Sequence, residues 1–386
     1  MITVIHSARL VDDGRVQPDA WVAFADGLVR ATGTGDSWRA LRESAASAAS
    51  LAQEVDAAGA YLTPGFIDIH GHGGGGVSFD DGAAAIQAAR AVHRAHGTTR
   101  AVLSLVTAPL ADLAPRVALI ADLAATDPTI LGSHLEGPFL DPGHKGAHTE
   151  SLLRMPDAGE IARLIDAGGG TLRQVTLAPE LPGALAATRQ LVAAGTAVAV
   201  GHTNATADEA QAAFDAGATI LTHAFNAMPG IHHRAPGPVV AAMRDARVTL
   251  ELIADGVHVH PDVIALAFAG APGRIALITD AMAAAGAPDG PYTLGGLAVT
   301  VSDGVARLDV DGAIAGSTLT QDAALRLVVA GGTALPDAVA ALTRTPARAV
   351  GAEDRLGTLR QGAIGDAVLL DDDLQVIGVW VGGARD

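Results

Sequence analysis

The sequence predicts an α/β chain, a (β/α)₈ TIM-like barrel with a small β-sandwich domain formed from both chain termini. Three observations carry this. Eight apolar, strand-like runs fill the middle of the chain and alternate with Ala/Leu-rich helical segments, the pattern of a parallel sheet closed by crossover helices. Both ends are instead patterned as short alternating strands. Five of the eight middle runs end in an ionisable residue, and in such barrels the carboxyl ends of the strands form the active-site face.

In chain order, residues 1–35 hold "ITVIHSARLV" and "AWVAFADGLVRATG", two strand-and-turn segments. Residues 36–58 are Ala/Ser-rich and read as helical or loose, a mobile surface segment. The eight barrel strands follow in "YLTPGFIDIH", "TTRAVLSLVT", "TILGSHLEG", "LRQVTLAPE", "TAVAVGHT", "ATILTHAFN", "RVTLELIADG" and "RIALITDAM". Residues 288–315 break the alternation and read as a β-hairpin insertion after the eighth strand. "GTLRQGAIGDAVLLDDDLQVIGVWVGG" returns to strand patterning. The expected boundaries are 1–60 plus 352–386 for the β domain and 61–351 for the barrel.

Composition limits the chemistry. Of 386 residues, 49% are hydrophobic and 17% charged, the balance of a globular chain rather than a disordered one. Cysteine is absent, so there is no disulfide framework and no thiolate metal site. The formal net charge of −17 disfavours nucleic acid and anionic membranes as partners. With no basic, apolar leader and no bilayer-length apolar run, a soluble cytoplasmic protein is expected. Lys145 is the single lysine.

The polar residues after the strands are specific. In "TPGFIDIHGHGGGG", residues 63–76, His70 and His72 fall on one face of an extended chain, with Gly71 between them. The glycines that follow suit either close backbone approach or a flexible loop. Glu136 ends the third run, His202 the fifth, His223 the sixth and Asp280 the eighth. Ionisable groups after apolar strands are costly unless paired or metal-bound. Their convergence on one rim predicts a metal site built from His, Glu and Asp. Such ligands suit Zn²⁺, Fe²⁺, Mn²⁺ or Co²⁺, with Zn²⁺ or Fe²⁺ favoured.

Taken in order, "PGFIDIHGHGG", "LEGPFL…HKGAH", "GHT", "HAFNAM", "ADGVHV" and "TDAM" resemble the N-acetylglucosamine-6-phosphate deacetylases of the amidohydrolase superfamily. The resemblance implies Glu136, His202 and His223 as ligands of the principal metal, with His70 and His72 holding a second one in some members. One or two divalent metals per chain are therefore expected. It implies Asp280 as catalytic base and His148 as the group that helps polarise the acetamide carbonyl. Asn226, Ala227 (through its backbone), Arg234 and His258 resemble the sugar and phosphate contacts. It further implies a homodimer in which Arg234 can reach the neighbouring site. The implied reaction is removal of acetate from N-acetyl-D-glucosamine 6-phosphate in amino-sugar catabolism. The galactosamine epimer or an N-acyl amino acid is the alternative substrate, and a non-catalytic barrel the alternative of another class.

Two checks bear on this. Many binuclear relatives bridge their metals with a carbamylated lysine on strand four, and "LRQVTLAPE" has none; this argues against dihydroorotase, hydantoinase and urease-like readings. "NAMPGIHHRAPG" supplies local positive charge for a phosphate, with Arg234 able to grip it in a bidentate fork. His232, His233, His260 and Lys145 read as solvated loop residues, and His93 and His96 as structural.

Overall fold

The structure is a computed structural model and describes residues 2–44 and 51–386. It contains two compact units, Met1–Ile67 with Arg94–Thr99 and Gln321–Asp386, and Asp68–His93 with Arg100–Thr320.

The barrel strands are Phe66–Asp68, Thr98–Val106, Ile130–Glu136, Leu172–Leu177, Ala197–Val200, Ile220–Leu221, Thr249–Ile253 and Ile275–Ile278, hydrogen-bonded in that order. The ladders from the second strand to the eighth are parallel. The eighth strand meets the first mainly just past their ends. There the Thr279 hydroxyl donates to Asp68 Oδ2 at 2.6 Å, and the Asp280 and His72 N–H groups donate to His70 O and Ala281 O at 2.8 and 2.7 Å. These bonds tie both histidines of the HxH pair to the loop that carries Asp280.

Two of the helices that follow the strands show clear start and stop chemistry. Asp157 caps Ala158–Gly168 by accepting from the N–H groups of Gly159 and Glu160, and Gly169 ends that helix in the left-handed region. Thr206 and Glu209 form a reciprocal capping box at the start of Ala207–Asp215.

Residues 288–315 form three antiparallel strands, Gly290–Leu294, Leu297–Ser302 and Val305–Leu308, rather than one hairpin. Leu294, Val299, Val301, Ala306 and Leu308 bury one face with Val106 and Met282. The third strand is needed to complete that apolar layer.

In the other unit, strands from both termini form one eight-stranded sheet. It forks at Ile2–Asp12, where residues 2–6 pair with Leu51–Asp56 and residues 9–10 with Tyr61–Pro64. Ile5, Val22, Phe24, Leu62 and Trp380 fill one side, and Val4, Trp21, Ala23 and Trp38 the other. The segment expected to be helical or loose over 36–58 is helical at its start and a strand near its end. Gly35–Trp38 and Arg39–Ser44 are helical and Leu51–Asp56 is a strand, while 45–50 lie outside the described residues. The expected boundary at 351/352 also differs from the unit's composition, which begins its last segment at Gln321. Gln321 Nε2 donates to Ile67 O at 2.9 Å and Thr98 Oγ1 donates to Gln321 Oε1 at 2.9 Å, both within this unit.

Candidate active site

Glu136, the last residue of the third strand, is the hub. Its Oε1 lies 3.2 Å from Nε2 of His70, of His202 and of His223. Its Oε2 lies 3.1 Å from His72 Nε2 and 3.4 Å from His148 Nε2. Asp280 Oδ1 stands 3.3 Å from His72 Nε2 and 3.6 Å from His70 Nε2. All seven side chains are buried. The rim residues read from the sequence therefore meet at one point, contributed by five strand ends.

The backbone bends sharply to deliver them. His202, His223 and Asp280 have φ of 47°, 24° and 48°, a region that non-glycine residues rarely enter and that clusters at functional sites. Gly71 separates the two histidines where a Cβ would stand 3.0 Å from Thr279 Oγ1, and a Cβ on Gly73 would strike Val77 O at 2.3 Å. Of the glycines after His72, Gly73 and Gly74 are thus buried close-packing positions, while Gly75 and Gly76 are exposed.

Electrostatics follow from burial. Glu136 would be pushed up by desolvation, but the charge of His70 and hydrogen bonds from His148, His202 and His223 hold it well below the usual carboxylate range. Asp280 is likewise opposed by burial yet held at about 2 by His70 and His72. Burial works against charge on His72, but Asp280 and Glu136 raise it to about 9. Burial dominates at His148 and lowers it to about 4.

The donor set fits a divalent cation. His202 Nε2 and His223 Nε2 are only 2.9 Å apart, each 3.2 Å from the same carboxylate oxygen. Such separations are close to those of ligands about 2.0–2.1 Å from a shared ion. His70 Nε2 is buried without a hydrogen-bond partner. Four groups (His70, His72, Glu136, Asp280) and three (Glu136, His148, His202) bring their donor atoms close enough to share an ion. The fourth strand, Leu172–Leu177, carries no lysine, and its Gln174 and Thr176 are buried.

Other residues complete the site. His202 Nδ1 bonds to His144 O at 2.9 Å, and His148 Nδ1 lies 2.9 Å from Thr107 Oγ1, so each ring turns Nε2 towards Glu136. A cavity of about 290 Å³ opens over the cluster, and Asn226, Ala227, His258, Val106, Leu294 and Ile314 are among the residues that line it. Asp255 Oδ2 holds His258 Nδ1 at 2.6 Å. Arg234, His232 and His233 are exposed and do not line this cavity, nor does Lys145. His260 caps Pro261–Gly270 by accepting from Asp262 N–H, and His93 bonds Gly73 O at 2.8 Å.

Sequence reasoning missed the polar layer beneath the cluster. Glu251, Gln174, His134, Ser104 and Thr176 are all buried, with His134 bridging Ser104 Oγ at 2.8 Å and Thr176 Oγ1 at 2.9 Å. A glutamate inside "TLELI" was the available signal, because a charge amid buried aliphatics must have a partner.

An eight-strand parallel barrel with a buried His/Glu/Asp cluster at the carboxyl ends of its strands defines an enzyme of the metal-dependent hydrolase class. The chain belongs to the amidohydrolase family, whose pattern matches residues 61–385. Over 327 residues it is 44% identical to the N-acetylgalactosamine-6-phosphate deacetylase of Escherichia coli O157:H7, covering 83% of this chain and 86% of that one. Over 327 residues it is 36% identical to the N-acetylglucosamine-6-phosphate deacetylase of Vibrio furnissii, covering 83% and 82%. Among solved structures, the N-acetyl-D-glucosamine-6-phosphate deacetylase of Mycobacterium smegmatis, in complex with N-acetyl-D-glucosamine-6-phosphate, superposes with a TM-score of 0.92 at 43% identity. That match covers 100% of this chain and 99% of the other.

Proposed function

We propose that the chain deacetylates N-acetyl-D-glucosamine 6-phosphate, giving D-glucosamine 6-phosphate and acetate. The observation that carries this is the Glu136-centred cluster with Asp280 beside it, at the floor of a cavity edged by Asn226, Ala227 and His258. Glu136, His202 and His223 would hold the principal metal, and His70 and His72 with Glu136 a second one. When bound, a divalent cation there lowers the pKa of water towards neutrality and polarises a carbonyl.

The protein's own groups supply the rest. Asp280 stays ionised, takes a proton as water attacks the acetamide carbon, and returns it to the amine nitrogen as the C–N bond breaks. His148 stays neutral and faces the cavity, where its ring stabilises the carbonyl oxygen as that atom gains charge. Asn226, the Ala227 backbone and His258 orient the sugar phosphate. Arg234 supplies the phosphate grip to a neighbouring copy in a homodimer, a reading supported by its exposure away from its own chain's cavity.

The test is acetate release by Zn²⁺- or Fe²⁺-loaded protein from N-acetylglucosamine 6-phosphate and, in parallel, from its galactosamine epimer. The second reading, preference for the galactosamine epimer, is favoured by the 44% identity to the Escherichia coli O157:H7 relative. A higher kcat/KM on either sugar selects between them; no acetate from either sinks both.

A further inference from the structure

Beneath the cluster lies a carboxyl side chain that the proposed reaction does not use. Glu251 sits in the middle of Thr249–Ile253, a strand buried along its whole length, and its side chain has no exposed surface. A carboxylate in that setting is unfavourable unless both oxygens are engaged. Both are. Gln174 Nε2, from the fourth strand, donates to Oε1 at 2.7 Å. Oε2 faces His70 Nδ1 at 3.0 Å and accepts from the His223 backbone N–H at 3.4 Å. One side chain of the seventh strand thus touches the residues that follow the first and sixth strands, and both are members of the cluster above it.

We propose that Glu251 is a positioning residue for the metal centre, with Gln174 as its anchor. It rests on the reading of the cluster as a metal site. An imidazole that donates through Nδ1–H to a carboxylate presents the lone pair of Nε2, in a fixed ring orientation and with raised basicity. In His70 that Nε2 is the atom 3.2 Å from Glu136 Oε1 and 3.6 Å from Asp280 Oδ1, buried with no hydrogen-bond partner of its own. The bond to His223 N–H reaches the residue whose left-handed backbone turns its ring towards Glu136. Gln174 keeps the carboxylate from rotating away, since it occupies the oxygen that the two site residues do not use.

The experiment compares wild type with Glu251→Gln and Gln174→Leu, using Zn²⁺ alone as probe in competition with a chromogenic chelator. An amide at 251 keeps one acceptor oxygen but loses the carboxylate charge that raises the basicity of the His70 ring. Glu251→Gln is expected to weaken Zn²⁺ binding about 10–100-fold, with kcat lowered and KM for the sugar phosphate little changed. Gln174→Leu is expected to shift both in the same direction and less. A readout that needs no folded variant at 251 comes from ¹⁵N-histidine NMR of Zn²⁺-loaded wild type, with His70 assigned through His70→Asn. The expected signature is a protonated Nδ1 in slow exchange and a metal-shifted Nε2. Unchanged Zn²⁺ affinity in Glu251→Gln, or an unprotonated His70 Nδ1, overturns the positioning role alone. Wild type that binds no Zn²⁺ overturns the metal reading with it.

Discussion

At the scale of single residues, the site works by placing charges where water cannot relieve them. Asp280 has two imidazoles within 3.6 Å, and against the cost of burial they hold its carboxyl at about 2. Asp280→Asn keeps the shape and removes the proposed proton acceptor, so kcat should fall about 10²–10⁴-fold with KM little changed; steady-state acetate release checks this. A different residue sets a stability slope. The hydrogen bond that His96 Nδ1–H donates to Asp322 Oδ1 at 3.1 Å raises the His96 pKa, while burial and the nearby Arg326 oppose it. A raised folded-state pKa means the stabilisation is fully present below the unfolded value of about 6.5 and is lost as pH rises through the folded value. Wild type should therefore lose more stability than His96→Gln across that window, as read by Tm against pH; parallel curves would refute it.

At the scale of elements, strand ends act as rigid brackets. Gly201 precedes His202 where a Cβ would stand 2.5 Å from Thr222 Cβ and 3.0 Å from Thr176 Cγ2. The fifth strand can end that close to its neighbours only without a side chain. Gly201→Ala should cost about 1–3 kcal/mol of stability, measured by the urea midpoint, and should lower activity because His202 moves with its strand. The same element logic explains what the sequence showed and hid. His70, His72, Glu136, His202, His223 and Asp280 were legible because each follows an apolar run and precedes a turn. Glu251, Gln174 and His134 were not, because their strands are buried on both faces and periodicity no longer separates inward from outward positions. Leu51–Asp56 was misread because its strand character depends on Ile2–Asp12, far away in sequence.

At the scale of the molecule, two outcomes follow. Removal of metal by a chelator should abolish acetate release and re-addition of Zn²⁺ or Fe²⁺ should restore it, with the circular dichroism of the barrel retained; activity that survives complete metal removal would refute the mechanism. If Arg234 serves a neighbouring copy, mixing inactive Arg234→Ala and Asp280→Asn chains should recover part of the activity, since one site of each hybrid dimer is then intact. No recovery from a demonstrated hybrid would assign Arg234 to its own chain or to no site.

The sequence by itself determined the barrel, the β unit built from both termini, and six of the seven side chains that meet in the cluster. Those follow from alternation, from turn chemistry and from costly polar residues at strand ends, all local signals. Only the tertiary structure decided that five imidazoles converge on the one carboxylate of Glu136, that a second polar layer lies beneath them, and that Arg234 stands outside its own chain's cavity. Those depend on which strands become neighbours when the sheet curls, a relation between distant residues that no local pattern encodes.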